Sequence, residues 1–398
     1  MANILNLLSE EAFIEKMDAQ NALLAAIASN NGGVDVTAWA DIRQIVRMGL
    51  GASLFPVGYE FTTADSVTGA TITWVVRGHD HHAAADSKLR HTMTLEAKYV
   101  YSNASGVQQS IQFDAPEALY YAAGGLAAGT YNFSLLAGYD TAQGGGKTLC
   151  FTLTKPVPSG GVIMFPWAYN TQSTTIQIST YASSISTEAI ESVSVAEGNS
   201  GTGLGTADGT TTHMNHTHRI RYGSNNYAQS AVRQWLNSSA AAGSVWAASN
   251  IFDRSPTWNE SRGGFLRGLP ADFLAAVQPA KILCRTNGVF EVDSLDGTAF
   301  AINQVYELRD KFFLLSRPEI YGTWDSTSYK DGELLEYYEG LTDTERKKYD
   351  VAGTARNCWL RSTNPTNTGN ERITSNSGEV NGSYASTGIA VAPACIIA

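Results

Sequence analysis

Two groups of histidines are the residues best placed for metal chemistry. The first is His79, His81, His82 and His91, and the second is His213, His216 and His218. Three imidazoles within six residues could ligate Zn²⁺ or Ni²⁺. However, the second group has no Cys, Asp or Glu nearby to complete a site, and the first follows a predicted strand, as a solvated turn does. We therefore favour solvated turns for both groups and predict no metal site.

Acidic residues and nucleophile motifs give little support for catalysis. Residues 293–297 (DSLDG) could hold Ca²⁺ through oxygens, but they lack the spacing and terminal Glu of an EF-hand. A plain turn is favoured there, and calcium stays open only as a structural ion. Glu333, Glu336 and Glu339 fall on one side of a charged segment, where solvation explains them. With no GxSxG elbow, P-loop or GxGxxG after a strand, we predict a non-enzyme without catalytic residues or a required cofactor.

Charge and hydropathy exclude several classes of partner. The net charge of −10 argues against an electrostatic grip on nucleic acid or on an anionic membrane. No apolar run reaches about 18 residues, so we predict no membrane insertion. The first residues lack the pattern of a signal peptide, which predicts synthesis in a cytoplasm. Four widely spaced cysteines form no CxxC pair, so free thiols are expected, with a Cys358–Cys395 bridge as the alternative.

The C-terminal stretch is the most distinctive part of the chain. Between two strand-like segments, residues 363–390 contain 18 Asn, Ser, Thr or Gly among 28 residues, and no Lys, Asp or Phe. Such a composition offers few apolar side chains to offset the entropy of ordering. A polar surface clamped between strands is typical of recognition loops, with Tyr384 as a candidate aromatic anchor. The alternative is a solvated loop without a function.

Hydrophobic patterns divide the chain into four parts. Residues 1–33 predict an amphipathic helical segment for oligomerisation or docking. Residues 34–100 predict a helix at 36–50 and strands at 56–61, 72–77 and 93–100. Residues 101–212 predict an antiparallel β module with its linker, including strands at 130–135, 148–153 and 175–178. Residues 213–398 predict further elements, which are helices at 230–236 and 271–277, strands at 281–285, 300–308 and 311–315, and a charged surface excursion at 329–349.

Several motifs, taken in order, resemble one protein family. The blocks are residues 72–77 (ITWVVR), 222–227 (YGSNNY), 229–238 (QSAVRQWLNS), 311–319 (KFFLLSRPE) and 359–362 (WLRS). They resemble the variable proteins of diversity-generating retroelements, in particular those of phages and prophages of gut bacteria. The resemblance covers about residues 55–100 and 215–398. It implies an α+β fold, in which a C-type-lectin-like (formylglycine-generating-enzyme-like) domain carries the β module as an insertion. The catalytic cysteine pattern of formylglycine-generating enzymes has no counterpart that we can place.

The resemblance also implies which residues bind a ligand. In that family, mutagenesis of template adenines converts asparagine codons to Asn, Ser, Thr, Gly, Tyr, Ile, Cys and others, in a C-terminal ligand-binding face. Carried over to this sequence, the variable positions are Asn357, Cys358, Thr363, Asn364, Ile373, Asn381, Ser383, Tyr384, Ser386 and Ile389. Because such a face is built to accept many side chains, we expect these positions to face solvent.

The function that the resemblance implies is host attachment. We expect a receptor-binding protein (adhesin) of the phage tail, located in the virion, that binds a host cell-surface protein or glycan. Other phage tail proteins are expected partners, and a homo-oligomer is expected, with a trimer favoured. Two alternatives stay open: a structural tail or decoration protein without diversified binding, and an enzyme that acts on surface glycans or uses His213, His216 and His218 as a metal-dependent oxidase.

Overall fold

The structure of the protein is a computed structural model. It describes residues 36–113, 117–122, 124–134, 148–159, 161–165, 175–180, 189–206, 217–220, 227–245, 262–285, 305–325, 327–364, 370–385 and 387–398. The predicted N-terminal helical segment lies outside these residues. So do His213, His216 and the turn predicted at 293–297.

The described part of the chain is α+β, with many strands and a few short helices, as the sequence predicts. The helices are α1 (Trp39–Arg47), α2 (Gly51–Leu54), α3 (Ala231–Leu236), α4 (Ala271–Ala276), α5 (Arg317–Tyr321) and α6 (Asp343–Arg346), with 3₁₀ turns at Tyr227–Gln229, Phe265–Gly268 and Glu336–Tyr338. The strands are β1 (Glu60–Ala64), β2 (Thr71–His79), β3 (Met93–Ala97), β4 (Ile111–Gln112), β5 (Glu117–Ala122), β6 (Gly129–Ser134), β7 (Thr148–Leu153), β8 (Gly161–Phe165), β9 (Thr175–Thr180), β10 (Ala189–Glu197), β11 (Thr202–Thr206), β12 (Thr217–Ile220), β13 (Val277–Gln278), β14 (Ala280–Arg285), β15 (Val305–Asp310), β16 (Phe312–Phe313), β17 (Lys348–Tyr349), β18 (Ala355–Arg356), β19 (Cys358–Thr363), β20 (Asn370–Thr374), β21 (Val380–Tyr384), β22 (Gly388–Ile389) and β23 (Ala394–Ile397). Among these helices, none combines the length and the apolar character that a membrane span requires.

The last strand of the chain lies inside the main sheet. The strand order is β1-β2-β3-β23-β13, and β16 also pairs with β23. The pairing of β23 with β3 is antiparallel, with Cys395 opposite Leu95. Every residue of both strands is buried, which explains the continuous apolar run at the end of the sequence. The sheet therefore joins the beginning and the end of the described fold.

Helix α1 covers this sheet with the apolar face that its periodicity predicts. Trp39, Ile42, Ile45 and Val46 are buried, and the Trp39 ring lies 4.5 Å from that of Phe273 on α4. The core is rich in tryptophan, because the indoles of Trp74, Trp235 and Trp359 are fully or almost fully buried. Each indole N–H has a hydrogen-bond acceptor, as buried Trp requires.

The second large sheet contains the strands predicted for the β module. Its order is β11-β6-β7-β10-β9-β8-β5-β12. Its pairings are antiparallel except that of β11 with β6. The long strand β10 pairs with β9 along its first six residues and with β7 along its last three residues, so the sheet curls at this strand. The strands predicted at 130–135, 148–153 and 175–178 are confirmed as β6, β7 and β9.

Some predictions for the C-terminal half need correction. The strand predicted at 311–315 is limited to Phe312–Phe313, and the one predicted at 300–308 appears as Val305–Asp310, with 300–304 outside the described residues. The surface excursion predicted at 329–349 is wrong for Tyr338 and Lys348, whose side chains are buried. The four cysteines are free thiols, so the alternative of a Cys358–Cys395 bridge is also wrong.

Tyr338 and Lys348 are buried because they bind a carboxylate inside the main sheet. Glu96, on β3, accepts hydrogen bonds from Arg77 Nε at 2.7 Å, Tyr338 Oη at 2.5 Å and Lys348 Nζ at 2.5 Å. Burial alone would raise the pKa of Glu96, but the nearby cations lower it below its usual value. Burial lowers the pKa of Lys348. Arg77 is a permanent cation, because a guanidinium is not deprotonated in proteins.

We predict that Glu96→Gln lowers the free energy of unfolding by about 3–5 kcal/mol, because it leaves the Arg77 charge buried without its counterion. Urea-induced unfolding at neutral pH measures the change. Glu60→Gln is the matched control, since it breaks an exposed 2.7 Å pair with Lys98, and its cost should be below about 1 kcal/mol. Similar small changes in both variants would contradict the role of Glu96.

Candidate functional site

A buried arginine underlies the C-terminal part of the fold. Arg361, on β19, is fully buried, and all five of its N–H groups have acceptors. Its terminal nitrogens bind both carboxylate oxygens of Glu319, with Nη1 at 2.6 Å from Oε2. The other acceptors are the carbonyl oxygens of Leu283 at 2.8 Å, Leu314 at 2.7 Å and Asp331 at 3.0 Å. The guanidinium thus joins β19 to three other segments of the chain.

The partner carboxylate is fixed by the start of α5. Ser316 caps this helix by accepting a bond from the Glu319 amide, while Glu319 Oε2 accepts one from the Ser316 amide at 2.9 Å. This is a capping box with Pro318 in the first turn, so the sequence SRPE codes for it locally. Burial alone would raise the pKa of Glu319, but Arg361 and His82 hold it far below its usual range. Glu319 is therefore an anion in the folded protein.

His82 extends this network to the main sheet. Its Nε2 lies 3.0 Å from Glu319 Oε1, and its Nδ1 lies 3.0 Å from Thr94 Oγ1 on β3. The prediction of a solvated turn is therefore wrong for His82, which is buried. It agrees with the structure for His91, whose exposed ring is paired with Asp80. No signal in the sequence connects His82 with Glu319, because 237 positions separate them.

His81, His82 and Glu319 also meet the geometric requirement for a metal site, since one ligand atom from each lies within 4.8 Å of the others. The surrounding chemistry fits an ion-pair network better. Arg361 already donates hydrogen bonds to both carboxylate oxygens of Glu319. A metal ion at this point would lie beside the buried guanidinium and would be repelled by its charge. Elsewhere among the predicted candidates, Glu333, Glu336 and Glu339 are exposed, as expected.

The predicted recognition loop contains a hairpin. Strands β19, β20 and β21 form a three-stranded antiparallel sheet, in which Trp359 lies opposite Ile373 and Ile373 lies opposite Asn381. The turn between β20 and β21 closes through Gly378, whose φ of +93° favours glycine. The polar stretch is thus ordered by backbone pairing with β19, and its own composition has little part in that order.

The ten predicted ligand-binding positions have different environments. Four are buried, so the expectation that they face solvent is wrong for Cys358, Thr363, Ile373 and Ile389. Two are exposed, namely Asn357 and Asn381. Asn364 and Ser383 are half-buried. Tyr384 belongs to β21, but its side chain and the whole of Ser386 lie outside the described part of the structure. Ligand binding by the positions that reach the surface remains a prediction.

The surface of the hairpin is joined to the loop after α5 by an ion-pair cluster that the sequence did not reveal. Asp325 binds Arg372, on β20, through Nε at 3.0 Å and Nη2 at 2.5 Å, and it also binds Arg317. The Arg317 amide in turn donates to Ser362 Oγ at 2.8 Å, next to the buried Arg361. The hairpin, the loop and the buried network therefore form one continuous structure, whose outer side is polar.

Comparison with known proteins places this region within a family. Residues 189–398 match the family described as a domain of unknown function (DUF6273). The chain belongs to this family. The matched residues include β19–β21, α5 and the Arg361–Glu319 pair, whereas His82 and β3 precede them. No curated protein and no solved structure matches the chain.

The buried network predicts a dependence of stability on pH. Burial and the nearby His82 lower the pKa of His81 from 6.5 to about 4. The folded protein therefore binds fewer protons than the unfolded chain between these values, so its stability falls as the pH is lowered from 6.5 towards 4. Because His81 is half-buried, we expect this residue to contribute about 1 kcal/mol of that fall.

His81→Asn tests this prediction. Between pH 7.5 and pH 4.5, the variant should lose about 1 kcal/mol less unfolding free energy than the parent protein, as measured by urea unfolding at each pH. At pH 7.5 the unfolding free energies of the two proteins should differ only by the effect of the altered packing. Equal losses in both proteins would contradict a lowered pKa at His81.

Proposed function

We propose that this chain is a phage tail-associated receptor-binding protein whose C-terminal face binds a ligand on the host surface. The observation that carries the proposal is the contrast across one small sheet. Asn381, on the edge strand β21, and Asn357, which directly precedes β19, are exposed, whereas Trp359 and Ile373, on β19 and β20, are buried in the core. Polar side chains on a rigid platform supply adaptable hydrogen bonds without the entropy cost of ordering a loop.

The same contrast supports a face that tolerates sequence change. Exposed substitutions away from special features usually alter stability by less than about 0.5 kcal/mol. The groups whose loss would be costly in this region are buried instead, Arg361 and Glu319 among them. Side chains at the surface can therefore vary without unfolding the domain. That is the property which a protein diversified by a retroelement requires.

We further propose that the domain is C-type-lectin-like and that a retroelement diversifies it. Three of the resembling sequence blocks support this, because side chains join them: 72–77 on β2, 311–319 on β16 and α5, and 359–362 on β19. The Trp74 and Phe312 rings lie 5.9 Å apart, and Arg361 binds Glu319. Two of these blocks supply Glu319 and Arg361. The positions at which we propose diversification are now those that reach the surface, namely Asn357, Asn364, Asn381 and Ser383.

Attachment to a phage particle is the remaining part of the proposal. Single sites built from small polar residues bind weakly, and linking several copies raises their combined affinity without new contacts. A homo-oligomer, with a trimer favoured, would provide this, and the predicted amphipathic segment at 1–33 is the proposed point of self-association or docking to other tail proteins.

Binding to bacterial cells tests the proposal. Fluorescently labelled protein is added to a panel of gut bacterial isolates, and saturation binding is measured on the strains that retain it. We expect Asn357→Ala combined with Asn381→Ala to weaken binding at least about tenfold, a loss of about 1.4 kcal/mol. The melting temperature should stay nearly unchanged. Asn199→Ala is the matched control, because it alters an exposed asparagine outside the face.

The outcomes separate the proposed adhesin from its alternatives. If the parent protein binds cells and the double variant binds equally well, the C-terminal face is not the binding surface. Binding to none of the isolates, with incorporation into particles that depends on residues 1–33 alone, would support a structural tail protein instead. Retroelement diversification has its own test in the genome: a neighbouring reverse transcriptase and a near-copy of the 3′ coding segment that differs at adenines.

A further inference from the structure

Two arginines at the edge of the C-terminal face share a single carboxylate. Arg317 and Arg372 both bind Asp325, and Arg372 does so with two parallel hydrogen bonds. Their side chains are 20% and 19% exposed, whereas Asp325 is 10% exposed, so the two cations border solvent. Two guanidinium groups therefore share one carboxylate near the surface of a protein whose net charge is −10.

The arginines keep hydrogen-bonding capacity beyond Asp325. A guanidinium has five N–H donors, and Asp325 accepts from only two nitrogens of Arg372. Within the described ranges, Arg372 Nη1 and Arg317 Nη2 make no hydrogen bond. The planar fork of a guanidinium matches the two oxygens of a carboxylate or of a phosphate or sulfate ester, and such charge-assisted pairs are stronger than neutral ones.

Amide groups lie beside this charge. Arg372 is opposite Gly382 in the β20–β21 register. A side-chain carbon at Gly382 would lie 3.6 Å from Asn364 Nδ2 and 3.8 Å from Asn370 Nδ2, so both amides border the same spot. Asparagine amides both donate and accept, which suits the hydroxyl groups of a sugar. The glycine leaves space for a ligand atom between the charged fork and the amides.

An aromatic residue and a further cation complete the surroundings. The Trp324 indole is fixed by donating to the carbonyl oxygen of Gly332 at 2.9 Å. The Lys330 ammonium lies 4.1 Å from the Trp324 ring centroid, and its ion pair with Glu333 is exposed and long, at 3.5 Å. The loop after α5 thus places the half-buried Trp324 indole next in sequence to Asp325, with the Lys330 ammonium over its ring. Aromatic rings and cations are groups through which proteins bind charged ligands.

We propose that Arg317 and Arg372 bind the acidic group of an anionic cell-surface polysaccharide. The inference rests on the proposed function and adds the chemical class of its ligand. In this arrangement the two arginines are a fixed anchor for the acid, and the amides of Asn364 and Asn370 beside Gly382 select among the sugars that carry it. Asp325 competes with the ligand for the two arginines.

Binding of the full-length protein to soluble polymers tests the proposal. The probes are polygalacturonate for carboxylates, dextran sulfate for sulfate esters, a polyglycerol phosphate for phosphate esters and dextran as the neutral reference. Binding is measured by biolayer interferometry at 0.15 M and 0.5 M salt. We expect one class of acidic polysaccharide to bind and dextran not to bind. Arg372→Gln should weaken the binding at least tenfold, and Arg372→Lys should weaken it too, because lysine keeps the charge but loses the fork.

Two variants separate the arginine fork from other effects. Arg309→Gln removes a cation that is 65% exposed and lies outside the face, and it should leave binding unchanged. Asp325→Asn removes the competing carboxylate and should preserve or strengthen binding, whereas a purely structural ion pair predicts a loss. Equal weakening by Arg309→Gln and Arg372→Gln would indicate diffuse charge attraction and overturn the proposal.

The remaining outcomes concern the identity of the ligand and the link to host binding. Binding to polyglutamate as strong as to the polysaccharides, and equally dependent on Arg372, would point to an acidic protein and overturn the polysaccharide assignment. A parent protein that binds cells through Asn357 and Asn381 but binds no acidic polymer would overturn this inference alone. A protein that binds no cells but does bind an acidic polymer through Arg372 would contradict host attachment and leave the acid site intact.

Discussion

The fold of the C-terminal half depends on one buried ion pair, Arg361 with Glu319. A buried charge is costly unless it is paired and fully hydrogen-bonded, and here every N–H of the arginine has an acceptor. Removal of either partner would leave the other charged and desolvated. This requirement fixes the position of β19 relative to α5. His82 connects the pair to β3, because its ring contacts both Glu319 and Thr94.

A rigid interior allows a variable exterior. The hairpin of β20 and β21 pairs with β19, so its backbone order follows from a strand whose side chains are buried. Asp325 then joins the outer side of the hairpin to the loop after α5 through Arg372 and Arg317. The same buried strand, β19, thus supports the exposed polar side chains, the arginine cluster and the loop. The residues proposed to bind a ligand and the buried residues of the sheet are therefore different, although they lie close together in the sequence.

Local patterns predict much of this fold, and long-range pairing explains what they miss. The amphipathic period of 36–50 gives α1, the apolar run at the C-terminus gives β23, and Ser316 with Glu319 forms a capping box within four residues. Composition fails for residues 363–390, because Thr363, Glu371 and Thr374 are buried despite their polarity. The ion pairs of Glu319 and of Glu96 link distant positions, so no periodicity indicates them. The candidate face is also set by long-range packing. A resemblance identifies the segment, but it does not indicate which side of each strand is exposed to solvent.

The central claim is that the buried ion pair, and not the polar face, supplies the stability of this region. It is tested most directly by the unfolding free energy of a single variant in which Asn357, Asn364, Asn381 and Ser383 are all replaced by alanine. Asn357 and Asn381 are exposed, and Asn364 and Ser383 are half-buried. Substitutions near the surface cost about 0.5 kcal/mol each and add when they are independent, so we predict a total loss within about 2 kcal/mol in urea unfolding. Under the same conditions Arg361→Lys, which breaks the fork, should lose at least about 3 kcal/mol. A four-position variant that loses as much as Arg361→Lys or more would contradict this claim.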